Sequence, residues 1–353
     1  MRSETHFPTV TIAIPAFNEA ASIQAVIEGF LQQDYPGLIE ILVADGGSTD
    51  GTREIVRKIA DNASKVRLLE NPNKTQSHGL NIMIKEAQGE IFLRADAHNI
   101  YAEDYIQVAV QTLLKSHALN VGGAQRFVAK TPFQAGVALA SKSIIGNGGA
   151  KYRDENYNGY AETVFLGCFW RKTLLEIGGF SPEAVTNQDA ELNVRLSKIR
   201  PNAIYVSSDV KVWYFPRGDP KRLWIQFFRY GRGRYLTSIR HPLSSPIRTK
   251  IPALGLSVLP VVLIWLTKKH GAKSTILFLL ALALAPFVES LRLTIKHRTA
   301  FKNGIWRGDT ERVPSLFERC LNCYISLIVM PTAYAIGGFF QMLRNRLFRI
   351  KGW

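Results

Sequence analysis

Cysteine is scarce: Cys168, Cys320 and Cys323 are the whole complement of a 353-residue chain. Three thiols cannot make a disulfide framework, which excludes the small secreted scaffolds built on one. The Cys320-x-x-Cys323 pair has no second ligand pair near it and opens an apolar run, so packing is its expected role, not zinc. The start of the chain, with Arg2, Glu4 and His6, lacks the apolar stretch of a secretory leader. The N-terminal part is therefore expected in the cytosol. Acid is what the second part lacks. Residues 207–353 carry 24 Lys+Arg against 6 Asp+Glu, whereas residues 1–206 carry 20 against 22. The net charge of +16 thus belongs to the part that also holds the long apolar runs. Phosphates of a nucleic acid would attract such charge. Cations flanking apolar runs fit anionic lipid headgroups better, so membrane lipids are the expected partner and nucleic acid is not.

A chain of this length suggests two parts, and the first reads as alternating strands and helices. Val10 to Ile14 is a β-branched run ending at Pro15-Ala16-Phe17-Asn18-Glu19. Ile23, Val26, Ile27, Phe30 and Leu31 then follow the spacing of an amphipathic helix until Pro36-Gly37. Ile39 to Asp45 is a second strand, running into Gly46-Gly47-Ser48-Thr49-Asp50-Gly51, where Ser48, Thr49 or Asp50 can cap a helix from Thr52. Val66 to Leu69 gives a third strand, Ser77 to Glu86 a helix and Ile91 to Arg94 a fourth strand. This alternation predicts an α/β fold with a mostly parallel, Rossmann-like sheet covered on both faces. Asn18, Asp45 and Asp96 stand at three strand ends, where open α/β sheets line their ligand crevice. Asp96 and His98, two apart, would share one side of an extended segment and could grip one divalent cation.

Further on, Asn147 to Ala150 and Arg153 to Tyr160 predict polar loops, and Val164 to Trp170 a buried strand. Asp189 falls where a helix should begin, as a cap would. Ile204 to Val206 and Val210 to Phe215 read as two closing strands. From Asp219 the composition mixes Leu223, Trp224, Phe227, Phe228 and Tyr230 with Lys221, Arg222, Arg229, Arg232 and Arg234, the pattern of a helix lying in a membrane interface. Three apolar runs follow, at 251–266, 275–288 and 323–343. A crossing takes roughly 20 residues, so the third is long enough, the second is marginal, and the first is short and holds Pro252 and Pro260. With three crossings, the clusters Lys268, Lys269, Lys273 and Arg344, Arg346, Arg349, Lys351 would both lie outside, against the positive-inside tendency. An interfacial or re-entrant first run relieves part of that conflict. The expected layout is a catalytic domain over 1–218, an amphipathic interfacial segment over 219–250, and a membrane region over 251–353 with two to three apolar helices.

The segments Pro15 to Glu19, Val43 to Thr52 and Arg94 to His98 resemble the donor-binding motifs of glycosyltransferase family 2. Gly178-Gly179-Phe180 and Gln188-Asp189 resemble its acceptor-side motifs, and Gln226 to Tyr230 its membrane-associated Q-x-x-R-W motif, with Tyr in place of Trp. The pattern is most similar to a succinoglycan-type glucosyltransferase subgroup, in which D-A-H replaces D-x-D. The resemblance covers about two thirds of the chain and implies an inverting GT-A enzyme. It assigns Pro15, Asn18, Glu19 and Asp45 to the nucleoside, Asp45 through the uracil ring. It places Lys74 and Arg94 at the nucleotide or its phosphates, with Gln226, Arg229 and Tyr230 over the diphosphate.

By the same resemblance, Asp96 and His98 bind Mn²⁺ or Mg²⁺, the imidazole favouring Mn²⁺. Asp189 becomes the general base, and Gln188 stands where relatives often carry Glu. The implied reaction moves one sugar, glucose from UDP-glucose, to a polyprenyl-diphosphate-linked saccharide at the cytosolic face of the inner membrane, for an exopolysaccharide or similar glycan. A processive synthase and an inactive nucleotide-binding scaffold are the alternatives. Few crossings argue against the first, and intact Asp45, Asp96 and Asp189 against the second. A nucleotidyltransferase would need a Gly-rich, Lys/Arg-bearing phosphate loop near the first strand, and none is visible.

Overall fold

The computed structural model describes residues 7–242, 251–350 and 352–353. The charged start at Arg2, Glu4 and His6, the end of the 219–250 segment and Lys351 lie outside the described residues. In chain order the elements are β1 (Val10–Ala16), α1 (Ile23–Leu31), β2 (Leu38–Asp45), α2 (Thr52–Asn62), β3 (Val66–Glu70), α3 (Gln76–Glu86), β4 (Ile91–Arg94), β5 (Ile100–Tyr101), α4 (Tyr105–Ser116) and β6 (Asn120–Phe127). Then come α5 (Pro132–Ala140), α6 (Ile144–Asn147), β7 (Gly159–Tyr160), β8 (Phe165–Trp170), α7 (Arg171–Glu176), α8 (Gln188–Ile199), β9 (Ile204–Tyr214), α9 (Pro220–Arg240), α10 (Ile251–Lys296), α11 (Phe301–Gly304) and α12 (Leu316–Leu347).

These form two compact units. The first joins Met1–Arg126 to Asp154–Tyr214, and the second joins Phe127–Arg153 to Phe215–Trp353. The first unit is thus interrupted by residues 127–153. Residues 127–153 leave the sheet because α5 is apolar on nearly every side: Phe133 and Ala135 through Ala140 are all buried. Its partner is α12, with Gly136 set directly against the Asn322 backbone.

The first unit holds a sheet in the order β3-β2-β1-β4-β8-β6-β9-β5, with β7 paired to β9. Strands β3, β2, β1 and β4 are parallel, as the β-α alternation requires. The parallel character stops at β4, because β8 returns antiparallel and pairs Arg94 with Gly167. The sheet is therefore mixed. The two closing strands of the sequence reading are one continuous strand, β9. The core is the expected β-branched runs: Val10, Ile12, Ile14, Ile41, Val43, Ile91 and Leu93 are wholly buried. Burying each such side chain contributes roughly 1.5–3 kcal/mol. The parallel arrangement brings the ends of β1, β2 and β4 to one edge, with Ala16 beside Asp45 and Ala13 beside Arg94.

The second unit is helical. Asp219 caps α9 by accepting the Arg222 N–H at 2.8 Å, and Pro220 takes the first turn. Helix α10 breaks at Gly271 (φ 77, ψ 170), which divides the first two apolar runs. Ser315 and Glu318 form a capping box that starts α12. Among the described residues two helices, α10 and α12, are long and apolar enough to cross a membrane. Helix α9 lies against α12 with little between them. A Cβ on Gly231 would meet the Tyr334 carbonyl, and one on Gly337 would meet that of Phe228.

Candidate active site

The edge of β1 is an interlocked turn. Pro15 pairs with Ala44 in the sheet. Asn18, held at φ 56, donates its N–H to Ser48 Oγ at 2.8 Å and accepts the Thr49 N–H on Oδ1 at 2.9 Å. The Glu19 N–H bonds to Thr52 Oγ1 at 2.8 Å, and the Ala20 N–H to Asp50 at 3.0 Å. Asp50 also accepts from Thr52, which holds its carboxyl below the usual range. The cap position of α2 itself is Gly51, at φ 96. Asp45 is buried and turned into its own loop. It accepts from the Gly47 N–H at 2.9 Å, the Ser48 N–H at 3.0 Å and the Ser48 hydroxyl at 2.5 Å. Arg53 stands 3.8 Å away. The expectation that Asp45 presents a carboxylate to a uracil ring meets a side chain that is 1% exposed and occupied with shaping Gly46 to Ser48. Lys74, exposed and at φ 57, lays its side chain over Gly47.

The Asp96 to His98 stretch is a turn after β4. The Asp96 N–H bonds to the Tyr101 hydroxyl at 2.7 Å, and that hydroxyl donates back to the Asp96 carbonyl at 3.0 Å. His98 Nδ1 meets Glu19 Oε1 at 2.9 Å. A carboxylate on Nδ1 fixes the ring and directs the lone pair to Nε2, as second partners of metal-binding histidines do. Glu19 thus joins the site through His98. Among the described residues no group of three His, Cys, Asp or Glu forms a ready cage. Two donors, Asp96 and His98, fit a cation whose other ligands are phosphate oxygens and water, the usual case for a metal bound with its substrate.

Arg94, expected at the nucleotide or its phosphates, is engaged with carboxylates of the protein. Its guanidinium is 4% exposed and bonds to two carboxylates, Asp189 through Nη1 and Asp96 through Nη2 at 3.1 Å. It is a bridge between the expected base and the expected metal ligand, not an exposed phosphate contact. Burial opposes its charge, but Asp189 and Asp96 outweigh that and hold it protonated. The Asp189 carboxyl is raised from its ordinary value: desolvation lifts it, Arg94 pulls it down and Asp96 lifts it again. The cap reading of Asp189 does not hold, since Asn187 occupies that position and Asp189 sits in the first turn of α8 with its side chain on Arg94.

Sequence reasoning missed Gln76. Its Nε2 donates to Asp96 Oδ1 at 3.3 Å, and its Oε1 accepts from Gln188 Nε2. Nothing in its position, one residue after the Thr75 cap of α3, signals this. Tyr101, whose hydroxyl holds the Asp96 turn, was missed for the same reason. Gln226, Arg229 and Tyr230 belong to the second unit, on α9. There Gln226 Nε2 donates to the Tyr230 hydroxyl at 2.9 Å, and Phe227 meets the Tyr230 ring edge-on at 5.6 Å.

The model for "Glycosyl transferase family 2" matches residues 11–171. The succinoglycan biosynthesis protein ExoA of Rhizobium meliloti (strain 1021) is 35% identical over 252 residues, covering 71% of this chain and 75% of that protein. The chain belongs to glycosyltransferase family 2. A second relative of this family 2 chain is a dolichyl N-acetyl-alpha-D-glucosaminyl phosphate 3-beta-D-2,3-diacetamido-2,3-dideoxy-beta-D-glucuronosyltransferase of Methanococcus voltae. It is 27% identical over 64% of the chain and 73% of that protein. Among solved structures, the mannosyltransferase PcManGT of Pyrobaculum calidifontis, in complex with GDP-Man and Mn²⁺, superposes with a TM-score of 0.57. It shares 21% identity and covers 95% of this chain and 88% of its own, which establishes the GT-A fold.

Proposed function

We propose that the protein is a metal-dependent, inverting glycosyltransferase. It would move one glucose from UDP-glucose to a polyprenyl-diphosphate-linked saccharide at the cytosolic face of the inner membrane, for exopolysaccharide synthesis. The observation that carries this reading is the pairing of Asp189 with Asp96 through Arg94 at the sheet edge. An inverting transfer is a single displacement, so one carboxylate must take the acceptor proton. Asp189 has that role. Arg94 fixes its direction, and the raised carboxyl is a better base than an exposed one. Asp96 and His98 hold Mn²⁺ or Mg²⁺, with Glu19 orienting the imidazole. When bound, the cation offsets the charge growing on the departing diphosphate. Lys74 adds a cation beside the Gly46 to Ser48 loop, and Asn18 and Asp45 hold that loop in shape for the nucleoside. On α9, Arg229 donates to the diphosphate oxygens while Gln226 and Tyr230 brace each other.

The names of the two relatives support the acceptor: one serves succinoglycan biosynthesis, the other acts on a dolichyl phosphate-linked sugar. The two apolar helices support membrane attachment. The test is a transfer screen with purified full-length protein, UDP and GDP sugars, a defined polyprenyl-diphosphate saccharide, and Mn²⁺, Mg²⁺ or EDTA. Addition of one glucose, lost with EDTA and restored best by Mn²⁺, is expected. A product ladder would point to a processive synthase instead, and no turnover of any donor would leave a binding scaffold.

A further inference from the structure

We propose that Arg232 and Arg344 form a site for a phosphate group on the second unit. This unit carries 27 Lys+Arg against 5 Asp+Glu. Four of its five acids are engaged elsewhere: Asp219 pairs with Arg222, Glu289 with Arg292, Glu318 with the Ser315 cap, and Asp309 accepts the Glu311 N–H. Arg232, on α9, donates Nε to Gln341 Oε1 of α12 at 2.9 Å. Its guanidinium lies 4.2 Å from the Trp353 ring and 5.5 Å from Phe340, and Arg344 stands 5.8 Å from the same Phe340. Neither arginine has a carboxylate partner among the described residues, and Arg232 Nη2 is buried without any hydrogen-bond acceptor.

Stacking alone would explain one arginine as a staple for the end of the chain. It does not explain a buried donor left unmatched beside a second cation. An unmatched buried N–H is costly, and two like charges drawn together repel. Burial, Arg344 and Arg229 together press the Arg232 proton affinity down, as expected where cations gather without an anion. A phosphate resolves all three. Its oxygens accept from guanidinium edges in pairs and carry the missing charge. The aromatic walls keep water from competing. The proposal does not depend on the sugar donor or on Asp189.

The phosphate could be borne by a lipid or be free, and the test separates these. Full-length protein in detergent is titrated with sodium pyrophosphate, dioctanoyl phosphatidic acid and dioctanoyl phosphatidylcholine, with thermophoresis as readout. Wild type is expected to bind phosphatidic acid, and phosphatidylcholine not at all. Pyrophosphate binding in addition would mean that the group alone suffices, and its absence that the lipid is required. Arg232→Gln with Arg344→Gln should weaken binding by about tenfold or more, a tenfold loss corresponding to ~1.4 kcal/mol. Lys302→Gln, an exposed cation of the same unit, should leave binding unchanged. If the double variant does not fold, Arg344→Gln alone decides, with a loss of about fivefold expected. Unaltered binding in these variants, or no binding of either phosphate probe by wild type, overturns the proposal.

Discussion

Gln188 donates to Gln76, and Gln76 donates to Asp96, so two amides tie the helix of the proposed base to the expected metal ligand. Replacing Gln188 by Glu disturbs this in a determined way. The introduced carboxylate can only accept, so Gln76 must turn its amide. Its oxygen then faces the Asp96 carboxylate, at a cost of about 1–3 kcal/mol. The new charge also lies one residue from Asp189 and disfavours its ionised form. The acidic limb of the pH–rate profile should therefore rise by about one pH unit in Gln188→Glu. A limb that stays put would mean another group takes the proton. Asp189→Asn should lower kcat by about 10²–10⁴ with donor KM little changed, measured by initial rates at varied donor. Turnover that persists would remove Asp189 from the role. The sequence picked out Asp96, Gln188 and Asp189, since each sits at a strand end or in a motif, but not Gln76. It did not reveal their partners. Arg94 and Asp189 lie 95 positions apart, and nothing local to Ala95 or Asn187 shows that one guanidinium serves two carboxylates. Nor did the sequence reveal that the Asp45 carboxylate accepts from Gly47 and Ser48 in its own loop.

Among elements, the legible ones were those whose pattern is local. The runs Val10 to Ile14 and Ile39 to Asp45 are β-branched and became strands β1 and β2. Strand β6 was not foreseen because Asn120-Val121-Gly122-Gly123-Ala124 has no such run. Its glycines are needed, since a Cβ on Gly123 would enter the Val210 backbone. Helix α5 was not read from the sequence either, and its burial depends on α12, which lies far along the chain. The packing of α9 on α12 also depends on absent side chains. Gly337→Ala should push the Phe228 carbonyl away and destabilise the second unit by roughly 1–3 kcal/mol. A thermal scan in detergent would register this as a lower midpoint, with Gly304→Ala, where nothing lies within contact, as the comparison. Equal midpoints would mean that the two helices can part without loss.

Across the whole molecule, the division into units changes how the protein can be cut. A fragment ending at residue 218 keeps α5 but not α12, leaving Phe133, Val137 and Leu139 without the helix that buries them. It should aggregate. The same fragment with 127–153 replaced by a short linker should be soluble, because the Arg126 side chain reaches the Glu155 carbonyl at 3.2 Å, which leaves the two ends a side chain's length apart. Sedimentation of the two fragments compares them directly, and equal solubility would deny α5 its dependence on α12.

The excursion of 127–153 also sets an order of events at the ribosome. Helix α5 is made early, yet the surface that receives it is encoded from Leu316 onward. For the intervening stretch of translation the nascent chain carries a finished apolar helix with no native neighbour. Sheet strands β7, β8 and β9 must meanwhile close around the gap it leaves. Long-range pairings of this kind form slowly and expose sticky surface while they wait. During synthesis α5 is therefore expected to stay unburied until α12 arrives.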